Sequence, residues 1–378
     1  MDRDQATKFM NDILRLMVSK KGSDLFITAD FPPAFKIDGK MTPISQQPLN
    51  ATHTSALVRA VMSDKQAAEF EATKECNFAI SPSGVGRFRV NAFLQQGRVG
   101  MVCRVIAAEV PTLESMNLPP ILAEIVMAKR GVVLLVGATG SGKSTTLAAM
   151  VDYRNTNSHG HIITIEDPVE YVHPHKNCVV TQREVGLDTD SWENALKNVL
   201  RQAPDVIQIG EIRERETMEA AIAMAETGHL VLATLHANNA NQTLDRLINF
   251  VSEEKKQQLL IDLSMNLKAV ISQRLVPKER SKGRVAAVEI LLQTPYISDL
   301  IEKGEVGEIK EVMKRSREQG MQTFDQALFD LYESGMIGQD DAFRNADSLN
   351  DLRLRLKLEG KRDKGEVVDP TAHLEVLE

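Results

Sequence analysis

Residues 131 to 151 read GVVLLVGATGSGKSTTLAAMV. An apolar run leads into Gly137–Thr145, which matches the phosphate-loop pattern G-x-x-x-x-G-K-[ST], and a helix-forming run follows. The strand before and the helix after separate this match from an ordinary glycine turn. Glycines let backbone N–H groups turn inward around phosphate oxygens, and the positive end of the next helix adds to the attraction. On this reading Gly137, Ala138, Thr139, Gly140, Ser141, Gly142, Lys143, Ser144 and Thr145 bind nucleotide. Lys143 reaches the β- and γ-phosphates, and the Ser144 hydroxyl binds Mg²⁺. The loop does not name the reaction, because kinases, GTPases and motor ATPases all use it. A GTPase would normally carry an N-K-x-D base-reading motif, and the sequence has none.

Outward from the loop, apolar strands alternate with helices. GVVLLVG, HIITIED, DVIQIGE and HLVLATLH read as strands rich in Val, Ile and Leu, the pattern of parallel strands covered on both faces. Between them, Trp192, Ala195, Leu196, Val199 and Leu200 share one face of a helix capped by Asp190. Another helix spans Thr217 to Thr227 and stops at Gly228. From about Asp262 the pattern reads as mainly helical. LRLRLKL (352–358) alternates like a strand, but it follows a capping box at Ser348 to Asp351 and is assigned to helix. KRDKGEVVDPTAHLEVLE, at 361–378, is charged, lacks a repeating face and is expected to be a mobile tail.

Upstream, Phe9, Ile13, Leu16 and Met17 recur at helical spacing. SDLFITADFPPAFKIDGKM reads as a hairpin around Pro32-Pro33. In GRFRVNAFLQQGRVGMVCRVI, Phe88, Val90 and Ala92 alternate with Arg87, Arg89 and Asn91, as in a strand with one buried face. AAEVPTLESMNLPP is the linker candidate. The expected organisation is an α/β domain over 1–108, a linker at 109–120, a core over 121–270 and a helical region over 271–360.

The 378 residues suffice for two domains, and 43% hydrophobic with 26% charged residues fits a globular protein. A net charge of -7 with 4% aromatic residues argues against a nucleic-acid translocase, so no nucleic acid is expected as partner. The apolar run Val132 to Val136 is far too short to span a bilayer, and MDRDQATKFM has no apolar h-region. Cys76, Cys103 and Cys178 are scattered, which points to a reducing cytoplasm and away from a cysteine zinc site.

In DVIQIGE, Gly210 stands where many phosphate-loop enzymes have a metal-binding Asp, and Glu211 follows. A glutamate there polarises the attacking water while Mg²⁺ is held by Ser144, phosphates and solvent. TIEDPVEYVH carries Glu166, Asp167 and Glu170 after another strand, either at a ligand site or in a turn of solvated carboxylates. His229 and His236 bracket one strand at an odd separation, so a shared metal is not expected. His229 reads equally as a nucleotide contact and as a satisfied structural histidine. HPHKNC (173–178) reads as a polar loop, not a metal site.

These stretches, in this order, resemble the secretion-type hexameric ATPases. GATGSGKST is similar to their Walker A motif, TIEDPVEYVH to their Asp box, LRQAPDVIQIGEIR to their atypical Walker B and AETGHLVLATLHANNA to their His box. The resemblance runs from SDLFITADFPPAFKIDGK to about Leu331, and within the family it is to the type IV pilus retraction branch. The extension and secretion branches usually add a four-cysteine zinc module. The resemblance implies an α/β protein with a RecA-like ATPase core, an N-terminal PAS-like α/β domain and a helical C-terminal region. It implies ATP and Mg²⁺ as ligands, Glu211 as leading catalytic acid, Glu170 as the Asp-box acid and Lys143 on the phosphates. His229 resembles the His-box residue that couples the nucleotide site to its surroundings, and Arg98 and Arg104 resemble arginines turned towards nucleotide. A homohexamer on the cytoplasmic side of the inner membrane, at the pilus base, is implied. The branch's helix motif AIRNLI is YISDLI here, Tyr296 to Ile301, and a charged extension follows GMQTFDQALFDLYESGMI. Both differences favour an accessory motor dependent on a PilT-type ATPase over a primary PilT-type motor. A nucleotide-responsive assembly protein on a partner ring is the remaining alternative.

Overall fold

The computed structural model describes residues 2–106 and 109–362. They form two units, each with its own sheet: Met1–Val110 with Pro168–Pro174 and Glu184–Asp188, and Pro111–Asp167 with His175–Arg183 and the described chain from Thr189 onward.

The first unit begins with helix α1 (Arg3–Ser19), fixed by a capping box between Asp2 and Gln5. Its buried face is Ala6, Met10, Ile13, Leu14 and Met17. The expected face was right at Ile13 and Met17, but Leu16 points outward at 39% exposure. Strands β1 (Asp24–Ile27), β2 (Ala34–Ile37) and β3 (Lys40–Pro43) follow, then helices α2 (Ala51–Ala60) and α3 (Asp64–Thr73). Strands β4 (Glu75–Ile80), β5 (Arg87–Gln95) and β6 (Arg98–Ile106) complete an antiparallel sheet of order β3-β2-β1-β6-β5-β4. The hairpin across Pro32-Pro33 is present, with Leu25 opposite Phe35. Phe88, Val90 and Ala92 are fully buried, as the alternation requires. Asp38-Gly39 and Gln96-Gly97 both have positive φ at two successive residues, the geometry of tight hairpin turns that glycine adopts without strain.

The second unit contains α4 (Ile121–Val126), β7 (Gly131–Val136), α5 (Lys143–Asn157), β8 (Gly160–Glu166), β9 (Cys178–Glu184) and α6 (Trp192–Val199). It continues with β10 (Val206–Ile209), α7 (Arg215–Glu226), β11 (Leu230–Leu235), α8 (Ala240–Ile248), α9 (Glu253–Asn266), β12 (Leu267–Pro277) and β13 (Arg284–Leu292). Helices α10 (Pro295–Glu302), α11 (Ile309–Arg315), α12 (Phe324–Glu333), α13 (Gln339–Asn345) and α14 (Leu349–Glu359) close it. The sheet order is β13-β12-β7-β11-β10-β8-β9. Strands β8, β10, β11, β7 and β12 run parallel in neighbouring pairs, and β13 returns antiparallel. The four expected strands are all here, and every residue of β7, β10 and β11 is buried.

Three expectations need correction. The chain after Asp262 is not mainly helical at first, because β12 and β13 precede the helical region. LKAVISQRLVP and RVAAVEILL are mostly buried inside a sheet and lack the clean apolar–polar alternation that marks a half-buried strand, so periodicity does not separate them from helix. Helix α6 is capped by Ser191, not Asp190: the Ser191 hydroxyl accepts from the Asn194 N–H at 3.2 Å. Leu200 leaves that helix and is 42% exposed.

Helix α7 stops before Gly228, whose φ is +102°. Residues 352–358 are helical in α14, with the Ser348 hydroxyl accepting from the Asp351 N–H at 3.3 Å. Leu113 and Leu118, in the segment read as a linker, are buried in the second core. Of the segment read as a tail, Lys361 donates its N–H to Glu333, and Arg362 lies over the Tyr332 ring. The expectation for 363–378 falls outside the described residues. Among the described residues no helix is long and apolar enough to cross a membrane, and Cys76, Cys103 and Cys178 are free and buried.

Candidate nucleotide site

The phosphate loop leaves β7 after Val136 and enters α5 at Lys143. Two of its glycines are required sterically. A Cβ on Gly137 would lie 2.5 Å from the Gln273 carbonyl and from the Ser141 Oγ, and one on Gly142 would lie 2.6 Å from the Gln273 side-chain nitrogen. Both also have positive φ, +150° and +90°. Gln273, buried on β12, clamps the loop: its Nε2 donates to the Ser141 carbonyl at 2.8 Å and its Oε1 accepts from the Thr146 hydroxyl at 2.7 Å. Sequence reasoning missed Gln273, because it lies on a strand that had been read as helix.

Lys143 folds over the loop, its Nζ donating to the Gly137 and Ala138 carbonyls at 2.8 and 3.0 Å. Partial burial pushes its ammonium below the usual range, and the Glu211 charge pulls it back upward. Ser144, in the first turn of α5, is exposed, while the Ser141 hydroxyl is buried without a partner. A glycine cradle, an orphaned hydroxyl, an exposed Ser144 and a lysine resting on carbonyls that phosphate oxygens would relieve fit a polyphosphate with Mg²⁺.

Gly210 explains the missing aspartate. It follows β10, donates its N–H to the Ile165 carbonyl at 2.8 Å and accepts from the Thr234 hydroxyl at 2.5 Å. A Cβ there would approach the Ile165 carbonyl and the Trp192 ring at 3.2 Å, tighter than ordinary van der Waals contact, so a side chain at this position would require its neighbours to shift. Glu211 is the first residue past this contact. Its Oε1 lies 3.0 Å from His236 Nε2, and its Oε2 accepts from Arg213 Nε at 2.8 Å. The neighbouring acid Glu166 is buried, and its Oε1 accepts from both the Thr164 hydroxyl and the Gln182 amide.

The two histidines of β11 separate by chemistry. His229 sits at the amino end, where its Nδ1 lies 3.0 Å from the Met224 carbonyl and 3.1 Å from the Thr227 hydroxyl. The Gly131 N–H donates to its carbonyl, which places it at the start of β7, opposite the phosphate loop. At about 3.3 Å per residue the strand separates it from that loop by roughly 20 Å. His229 is therefore not at the phosphate end of this core, and His236 is. The missed signal was position: His236 follows the carboxyl end of its strand as Glu211 follows its own. His236 also borders a cleft of about 470 Å³ lined by Gly137, Ala138, Gln242, Asp245 and Arg246. Arg246 donates to the His236 carbonyl at 2.8 Å.

The remaining candidates belong to the first unit. Glu170 is exposed in the segment Pro168–Pro174. Arg98 and Arg104 share one face of β6; Arg98 pairs with Asp30, and the Arg104 Nε donates to Asp24 at 2.7 Å. Among the described residues no group of His, Cys, Asp and Glu could by itself hold a metal ion.

The family profile described as type II/IV secretion system protein matches residues 1–336. The chain is 60% identical over 351 residues to the type IV pilus ATPase PilU of Pseudomonas aeruginosa, covering 93% of this chain and 92% of the relative. It is 42% identical over 337 residues to the type IV pilus retraction ATPase PilT of the same organism, covering 89% and 98%. A crystal structure of the pilus retraction motor PilT with bound ADP is similar at a TM-score of 0.84 and 40% identity, covering 91% of this chain and 98% of that one. The ATPase DotB of Legionella pneumophila is similar at a TM-score of 0.77 and 28% identity, covering 89% and 94%.

Proposed function

The chain belongs to the type II/IV secretion system protein family, and from that premise we propose that it is an ATP-hydrolysing motor of type IV pilus retraction and twitching motility. The observation that carries hydrolysis is the convergence of Lys143, Glu211 and His236 at the carboxyl ends of β7, β10 and β11. Lys143 moves from the loop carbonyls to the β- and γ-phosphates, where charge develops during transfer. Glu211, held between His236 and Arg213, polarises the attacking water; Glu170 is the second acid. Ser144 would hold Mg²⁺, which neutralises phosphate charge when bound. Arg98 and Arg104 exchange Asp30 and Asp24 for phosphate oxygens when nucleotide is present. His229, away from the phosphates, acts as a contact to its surroundings.

The pilus role is supported by the likeness to PilU and PilT. The protein works as a homohexamer on the cytoplasmic face of the inner membrane at the pilus base, assisting a PilT-type ATPase. In YISDLI, the Ser298 hydroxyl donates to the Ser264 carbonyl at 2.9 Å and Asp299 pairs with Lys303. Neither Ser298 nor Asp299 supplies a cationic side chain on α10. The test has two parts. Purified protein should release phosphate from ATP. Retraction should then be compared in cells holding this protein only, the partner only and both. Retraction by this protein alone would overturn the accessory role in favour of a primary motor.

A further inference from the structure

Glu289, on β13, is 2% exposed, and the nucleotide chemistry above gives it no task. It stands directly across from Ser272 of β12, so the two side chains share a face. Ser272 in turn pairs with Val136, the last residue before the phosphate loop. Glu289 Oε1 accepts from the Ser272 hydroxyl at 3.1 Å and from the Ala240 N–H at 2.8 Å. Ala240 is the first residue of α8, so the acid holds an otherwise orphaned helix donor at the positive end of that helix.

Helix α8 grips the turn that carries His236. Arg246 donates to the His236 carbonyl at 2.8 Å, and the Gln242 side chain accepts from the Asn238 N–H at 3.2 Å. His236 then meets Glu211 at 3.0 Å. Adjacent residues of β12 thus hold both halves of the site: Gln273 fixes the phosphate loop, and Ser272, through Glu289 and α8, fixes the His236 turn.

We infer that Glu289 is a positioning residue, which clamps the amino end of α8 to β12 and thereby holds His236, and through it Glu211, in register with the phosphate loop.

A packing role alone does not account for an acid here. Its carboxyl is pushed up to about 7, chiefly by burial and further by Asp347, against the opposing pull of the Ala240 N–H, Ser272 and Lys310. The charges that act on it are Lys310 of α11 and Asp347, and Asp347 is already paired with Arg274 of β12 and with Lys310. An apolar residue of similar volume would avoid burying this charge.

The inference rests on the hydrolase reading, and the test separates the two. Glu289→Met keeps the volume and removes the acceptor, whereas Glu289→Gln keeps an acceptor oxygen for the Ala240 N–H. In full-length protein shown to be folded by thermal melting, Glu289→Met should lower kcat about tenfold or more and change KM for ATP less than about threefold. Glu289→Gln should stay within about threefold of wild type. Independently of turnover, amide exchange across Ala240–Arg246 should speed at least about tenfold in Glu289→Met, with the amides of α5 unchanged. If Glu289→Met does not fold, Ala240→Pro removes the donor at a first-turn position that accepts proline, and should show the same kcat loss. Folded Glu289→Met or Ala240→Pro with kcat and exchange like wild type, or equal damage from Met and Gln, overturns the inference. Wild-type protein that hydrolyses no ATP overturns the hydrolase reading instead, and the exchange result still decides the clamp.

Discussion

The amino and carboxyl ends of the parallel strands carry similar residues and differ in how far those residues are already satisfied. At the amino end, Asp205 accepts from the His161 N–H at 2.7 Å, and the His161 ring lies between the Gln202 carbonyl and the Thr181 hydroxyl. His229 there rests on Met224 and Thr227. At the carboxyl end, Ser141 keeps a buried hydroxyl without a partner, Lys143 sits on backbone carbonyls, and Glu211 faces His236 beside an open cleft. Histidines, acids and glycines occur at both ends; exchangeable contacts and room for a ligand distinguish the second. The parallel arrangement puts loop N–H groups and helix amino ends on that side.

The comparison breaks most visibly at Lys143. Lys143→Ala should lower phosphate release roughly a thousandfold or more, because no other described cation rests on the loop carbonyls to take over the developing charge. Near wild-type turnover would remove the loop from its assigned role. Glu211→Gln comes next. It should keep binding of a fluorescent ATP analogue and lose hydrolysis by about a hundredfold or more, since the amide keeps the size but not the charge. Unchanged single-turnover rates would shift the acid's role to Glu170.

The two histidines sharpen the contrast. His236→Ala should lower single-turnover hydrolysis about tenfold by loosening Glu211, while His229→Ala should leave it within about threefold. The reverse ranking would place the nucleotide chemistry at the wrong end of the sheet. Smallest of all is Asp205→Ala, expected to cost about 1 kcal/mol in chemical denaturation and nothing measurable in kcat. A clear kcat loss there would show that the amino end is coupled to the chemistry.

Much of this site was legible in the residues. Gly137–Thr145 names its own chemistry, since few sequences other than a phosphate loop need those glycines followed by Lys and Ser after a buried strand. Glu211 was legible because the buried run VIQI reads as a parallel strand of the same sheet, so the residue after it falls at the carboxyl end that also carries Lys143. The choice between His229 and His236 was not, because both bracket the same apolar run. Gln273 and Glu289 were invisible for a different reason. Their strands are buried on both faces without a clean alternation, so nothing local marked them as strands, and a buried polar residue inside such a run has no readable partner.

Sequence by itself determined the local chemistry: which residues form a phosphate-binding turn, which runs are apolar enough to be buried, and where helices stop, as at Gly228. These follow from short-range sterics and periodicity, which act within a few residues. Only the tertiary structure decided which chemistry meets. Gln273 reaches Ser141 across 132 positions of sequence, and Glu289 reaches Ala240 across 49. Such contacts arise because β12 and β13 join the sheet beside β7, and strand order is set by how the whole core buries its apolar surface.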